Sequence, residues 1–147
     1  MSTEKKPLVI LMADDDEDDR LLTAEALVES RVLNELHFVE DGVQLLNYLR
    51  GEGQYSDRAK YPLPGLILLD LNMPKMDGRE ALAQLKQDPV LKRTPVVILT
   101  TSKAEEDMLR GYDLGAASYI TKPVTFDVLV ELMRTLGRYW VEFVELP

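Results

Sequence analysis

Cysteine is missing from this chain, which excludes a disulfide framework and any thiolate-bound metal. Histidine occurs once, at His37. A lone imidazole on a strand-length segment more often packs or faces solvent than ligates, so zinc is left without its usual donors. Long hydrophobic runs are lacking as well. No apolar stretch approaches the roughly 20 residues needed to cross a bilayer. The opening Met1-Ser2-Thr3-Glu4-Lys5-Lys6 leads into a strand-length segment rather than a signal peptide, and the expected compartment is the cytoplasm. Positive charge is in deficit: 17 Lys and Arg against 26 Asp and Glu give a net charge of −9. Polyphosphate and anionic lipid surfaces attract cations, so no direct nucleic-acid or membrane partner is expected. A cation or a basic protein partner fits the charge better.

What the chain does have is enough apolar material, 46% of 147 residues, to bury one core. One domain over residues 1–147 is expected, with its core at about 8–139 and a tail at 140–147. Short β-branched apolar runs alternate with segments of helical spacing, the pattern of βαβ units. The predicted strands are Leu8 to Met12, Glu35 to Val39, Leu66 to Leu69, Pro95 to Leu99 and Ala117 to Ile120. Between them fall predicted helices: Asp18 to Ser30, with Leu21, Leu22, Ala26 and Leu27 on one face; a segment from Asp41-Gly42 to Arg50; Gly78 to Lys86; and Ala104 to Leu114. A last helix begins near Thr125. Leu66-Ile67-Leu68-Leu69 shows no polar alternation and is expected to be buried on both faces, as central parallel strands are. Residues Gly51 to Gly65 hold three Gly and two Pro, and are expected to cross the surface without regular structure. The fold class is α/β, a doubly wound parallel sheet of five βα units in the flavodoxin-like strand order 2-1-3-4-5.

In such sheets, sites form beyond the carboxyl ends of the strands. Strand one ends at Asp14-Asp15-Asp16, strand three at Asp70, strand four at Thr100-Thr101-Ser102 and strand five at Thr121-Lys122-Pro123. Any one of these sets is equally well read as an ordinary helix cap. Their conjunction points to chemistry. Two carboxylates about 4 Å apart repel by roughly 4 kcal/mol at an effective dielectric near 20, so Asp14, Asp15 and Asp70 need a cation in order to converge. Mg²⁺ suits them, since it takes oxygen ligands and keeps waters that a phosphoryl oxygen displaces. A calcium loop is the competing reading: Asp14, Asp16, Asp18 and Glu25 fall at loop positions 1, 3, 5 and 12. Position 6 holds Asp19 where the turn requires Gly, and a strand precedes it rather than a helix. A carboxylate beside Mg²⁺ with a lysine and a hydroxyl nearby can act as a nucleophile toward phosphorus. Asp70 is the candidate, with Lys122 sharing the charge and Thr100 donating a hydrogen bond.

These residues, in order and spacing, resemble the receiver domains of two-component response regulators. The resemblance spans Leu8 to about Tyr139 and rests on Asp14-Asp15, Leu69-Asp70-Leu71-Asn72-Met73-Pro74 with Asp77-Gly78, Leu99-Thr100-Thr101, Gly115-Ala116 and Lys122-Pro123. It implies a CheY-like protein with Asp70 as phosphoacceptor, forming a 4-aspartylphosphate in a Mg²⁺-dependent phosphorelay. It further implies that Asp15, Asp70 and the Asn72 carbonyl bind Mg²⁺ directly, that Asp14 acts mostly through water, and that Thr100 and Lys122 contact the phosphoryl group. A cis peptide before Pro123 is implied too, as is Tyr119 as the aromatic whose rotamer switches together with Thr100.

A narrower resemblance, to the small response regulators paired with bacterial and cyanobacterial phytochromes, is carried by the Gly51 to Gly65 loop, Asp77-Gly78-Arg79-Glu80, Leu91-Lys92-Arg93-Thr94-Pro95 and the tail from Trp140 to Pro147. It implies a sensor histidine kinase of the phytochrome type as the phosphoryl donor. Leu129, Leu132, Met133, Leu136 and Trp140 already complete one apolar stripe, leaving Val141, Phe143, Val144 and Leu146 as surplus. A homodimer through the last helix and tail is expected on that ground. Asp16, Glu17, Asp18 and Asp19 extend the acidic pair and read mostly as a solvated helix start. With no output domain in the sequence, the effect is expected through partners, without enzymatic turnover of outside substrates. Two rivals remain. One is a Mg²⁺-dependent phosphatase with an aspartate nucleophile, although Asn72 stands where such enzymes carry a second Asp. The other is a non-phosphorylated scaffold of the same fold.

Overall fold

The strand-forming runs assemble into a five-stranded, all-parallel sheet in the order β2-β1-β3-β4-β5. The computed structural model describes residues 8–31, 34–71, 73, 75–76, 78–100, 104–106, 108, 115–116, 118–121 and 125–139. The strands are β1 (Leu8–Ala13), β2 (Asn34–Val39), β3 (Leu66–Asp70), β4 (Val96–Thr100) and β5 (Ser118–Thr121). The helices are α1 (Glu17–Ser30), α2 (Gly42–Arg50), α3 (Gly78–Gln87) and a last helix, Phe126–Tyr139. Residues 104–106 and 108, between β4 and β5, are helical. The predicted strands, the first three helices and the last helix are present, displaced by a residue or two at their ends, and the strand order is the expected one; most of the predicted helix from Ala104 to Leu114 lies outside the described residues.

Side-chain alternation along the inner strands explains why their sequences are apolar throughout. Leu11, Ala13, Ile67, Leu69, Val96 and Ile98 pack beneath α2 and α3, in one cluster with Leu45, Leu49, Leu82 and Leu85. Ile10, Met12, Leu66, Leu68, Val97 and Leu99 face the other way, onto Leu27 of α1 and Met133 of the last helix. Helices on both faces leave no place for a polar residue until each of these inner strands ends. That is where the polar residues begin.

Two expectations need correction. Leu21 does not share the buried face of α1 but stands 55% exposed. The buried residues are Thr23, Ala26, Leu27 and Ser30, an i, i+3, i+4, i+7 stripe, and Leu21 lies some 200° around the helix from Thr23. Two hydroxyls escape detection as core because each bonds within its own helix: Thr23 Oγ1 to the Asp19 carbonyl at 2.9 Å and Ser30 Oγ to the Leu27 carbonyl at 2.8 Å. The Gly51 to Gly65 loop, in turn, is not wholly irregular. It makes one 3₁₀ turn at Gly53–Tyr55 and sends Tyr55 into the core, against Tyr48 and Tyr61. His37 completes this aromatic group and pairs with Glu35 at 2.7 Å, so its role is packing.

Arg58 fastens the loop to α2, its guanidinium donating to the carbonyls of Tyr48 at 2.8 Å and Leu49 at 2.7 Å, where the helix dipole is negative. The buried Tyr48 hydroxyl donates to the Pro62 carbonyl at 2.9 Å. Burial above all, with the nearby Glu35 charge, pushes the Tyr48 phenol up to about 12, against a smaller opposing pull from Arg58. A raised value favours the neutral phenol in the folded chain, so the stability it lends is whole below pH 10 and is lost as pH climbs toward 12. Urea denaturation is therefore expected to show a fall in stability across that window. Tyr48→Phe should lose about 1 kcal/mol at neutral pH with the lost hydrogen bond and show a shallower alkaline fall. An equally steep fall in the variant would assign the transition to another group.

Candidate active site at the sheet edge

The register brings the acidic residues together. Ala13 of β1 lies opposite Leu69 of β3, so the next residues, Asp14 and Asp70, emerge side by side at the carboxyl edge of the sheet. Carboxylate oxygens of Asp14, Asp15 and Asp70 lie within 4.8 Å of one another. Asp14 and Asp70 are buried, at 0% and 4% exposure, whereas Asp15 faces solvent. At such separations each ionised pair repels by about 3 kcal/mol at an effective dielectric near 20. The donor set is all oxygen, two members are shielded and one is open to water. A hard divalent cation that keeps some of its water fits it.

Asp14 is fixed at three of its atoms. Its amide donates to the Val39 carbonyl at 3.0 Å, its Oδ1 accepts from the Asp16 amide at 2.9 Å, and its carbonyl accepts from Arg20 at 2.9 Å. Asp16 itself caps α1, accepting from the amides of Asp18 at 2.9 Å and Asp19 at 3.3 Å. Glu17, Asp18 and Asp19 then occupy the first turn, where negative charge is favoured by the dipole. The acidic run is thus divided: Asp14 and Asp15 converge with Asp70, and the next four residues start a helix.

Asp70 is held from behind. Leu71 and Met73 are buried in the cluster under α2 and α3. The Gly78 amide donates to the Leu71 carbonyl at 3.0 Å. A side chain at position 78 would place its Cβ 2.7 Å from the Asp70 carbonyl oxygen and 2.7 Å from Leu71 Cα, so only glycine lets α3 begin this close to the strand end. Lys75 has a left-handed φ of 64°, and its Nζ lies 3.6 Å from Asp41 Oδ2 at the start of α2. The Gly42 amide donates to the Met76 carbonyl at 3.0 Å.

Thr100 ends β4 one residue beyond Leu99, the register partner of Asp70. Its side chain is fully buried, with Oγ1 3.4 Å from both the Ile120 carbonyl and Thr121 Oγ1. Tyr119 is half-buried and packs against the cluster under α2 and α3. Asn72, Lys122, Asp77, Thr101, Ser102, the bond before Pro123 and the tail at 140–147 lie outside the described residues. Sequence reading missed Arg20, Glu40 and Lys75, which support the site only because the fold brings them to it. No spacing rule marks such contacts in advance.

The family model of the response regulator receiver domain matches residues 10–134. The chain is 43% identical over 148 residues to the response regulator Rcp1 of Synechocystis sp., with 100% of this chain and 99% of that protein covered. The crystal structure of the phosphorylated cyanobacterial phytochrome response regulator RcpA matches with a TM-score of 0.79 at 42% identity, over 97% of this chain and 99% of that one. The Mn²⁺-bound form of Rcp1 matches with a TM-score of 0.77 at 42% identity, over 96% and 99%. Sheet order, the placement of the carboxylates and relatives of matching length agree, and the chain belongs to the family of response regulator receiver domains.

Proposed function

We propose that this receiver accepts a phosphoryl group on Asp70 from a phosphohistidine of a sensor kinase. The observation that carries the proposal is the convergence of Asp14, Asp15 and Asp70 within 4.8 Å, with Asp70 at the end of a strand buried along its whole length. An Asp70 carboxylate oxygen attacks phosphorus, the O–P bond forms as the P–N bond breaks, and the departing imidazole keeps its electron pair. Asp14, Asp15 and Asp70, with the Asn72 carbonyl, are the residues to hold Mg²⁺. When bound, that cation offsets the carboxylate repulsion and draws charge from the phosphoryl oxygens. Thr100 is assigned to donate to one of those oxygens once its hydroxyl turns from β5, and Lys122 to neutralise another. Phosphorylation is to be read out as a changed surface through reorientation of Thr100 and Tyr119.

The similarity to solved regulators whose names specify phytochromes or bacteriophytochromes supports a kinase of that type as the donor. We assign the whole of residues 1–147 to one receiver unit acting in the cytoplasm. No helix among the described residues is long and apolar enough to cross a membrane. The apolar surplus after Tyr139 supports a homodimer through the last helix and tail.

Incubation with Mg²⁺ and a small phosphodonor tests the central step. One phosphoryl group per chain is expected by intact-mass measurement, abolished by Asp70→Asn and by chelation. Continued turnover of phosphoesters would favour an aspartate-nucleophile phosphatase, and the absence of any adduct a scaffold. Sedimentation of a chain ending at residue 139 is expected to show the monomer where the full chain shows the dimer; an unchanged state would remove the tail from the association surface.

A further inference from the structure

The acidic turn carries a guanidinium that none of the chemistry above uses. Arg20, on the first turns of α1, is only 18% exposed at its side chain. It donates from Nη1 to the Asp14 carbonyl at 2.9 Å, while Nη2 lies 3.8 Å from Glu40 Oε1. Glu40 stands between Val39, whose carbonyl receives the Asp14 amide, and Asp41, which caps α2 by accepting from the Gln44 amide at 2.8 Å. The Glu40 amide in turn donates to Gln44 Oε1 at 2.9 Å, which ties the residue to the helix it precedes. The carbonyl that Arg20 grips belongs to the peptide joining Asp14 to Asp15. Asp14 has two other anchors, but Asp15 is exposed and takes its direction from that peptide plane.

We propose that Arg20 and Glu40 are a positioning pair for cation binding, Arg20 fixing the Asp14–Asp15 peptide and Glu40 orienting Arg20 and cancelling its charge. The inference rests on Asp14, Asp15 and Asp70 forming the cation site described above. A bare guanidinium beside three carboxylates would compete with a divalent ion for their field. Paired with Glu40 it adds little net charge there, and its hydrogen bond to the carbonyl remains. Groups that orient ligands from behind tune metal affinity in this way. The same β2–α2 junction receives the loop after Asp70, through the Gly42 amide on the Met76 carbonyl and Asp41 near Lys75, so it holds both halves of the site in register.

Mg²⁺ alone, titrated into the full chain by calorimetry, tests the pair. Arg20→Met is expected to weaken affinity by ~10-fold, at the low end of the range for groups behind metal ligands, and Arg20→Lys to recover part of the loss. Glu40→Gln should weaken it by a smaller factor, since the charge of Arg20 is then uncompensated, and the double variant should lose less than the two single losses combined. Thermal midpoints without cation should move little, which separates positioning from folding. Unchanged or tighter binding in Arg20→Met, with the parent chain still binding, would overturn the proposal and leave the site intact. Absence of Mg²⁺ binding in the parent chain, or equal binding by Asp70→Asn, would overturn the reading of the site instead.

Discussion

Mutual repulsion of three carboxylates at one edge of the sheet is the constraint that the rest of this structure serves. Asp14, Asp15 and Asp70 sit within 4.8 Å of one another, two of them buried, in an arrangement that an unconstrained chain would relax by turning a side chain to water. It persists because each anchor is made elsewhere. The amide and carbonyl of Asp14 bond to Val39 and Arg20, its Oδ1 takes the Asp16 amide, and Asp70 ends a strand with apolar packing on both faces. The core holds the charges in place, in an arrangement that suits a divalent cation.

Seen from that edge, the strand order has a physical purpose. Placing β1 beside β3 puts the two acidic strand ends next to each other, and placing β4 on the far side of β3 sets Thr100 one residue past the partner of Asp70. The turns after β1, β2 and β3 are tightened by features with little freedom. Gly78 admits α3 against the Asp70 carbonyl, Lys75 adopts a left-handed conformation, and Asp16, Asp41 and Thr125 cap α1, α2 and the last helix. Function thus depends on backbone placement as much as on the acidic side chains themselves.

Much of this was legible in the sequence because the signals were local. Leu66-Ile67-Leu68-Leu69 followed by Asp70 reads as a buried strand with a polar end, and the structure bears this out with no exposure above 4% in the segment. The acidic pair after Leu8 to Met12, and Asp41-Gly42 before α2, were visible for the same reason. What stayed hidden depends on tertiary contact. Leu21 looked like core, but Thr23 and Ser30 took its place by bonding their hydroxyls within the helix. The Gly and Pro content of the loop after α2 announced irregular structure, while the burial of Tyr55 against Tyr48 and Tyr61 needed partners distant in sequence. Arg20 lies six residues from Asp14 with no motif between them, and only the fold brings it to that carbonyl.

On the proposed reading, electrostatic repulsion at the sheet edge is stored by the fold and released by a divalent cation. The most direct measurement is unfolding by urea of the parent chain and of Asp70→Asn, each in chelator and in saturating Mg²⁺. In chelator the variant should be the more stable by about 1–3 kcal/mol, since one repelling charge is gone. Mg²⁺ should then stabilise the parent chain by a larger increment than the variant. A variant no more stable than the parent chain in chelator, together with equal shifts on adding Mg²⁺, would contradict the account.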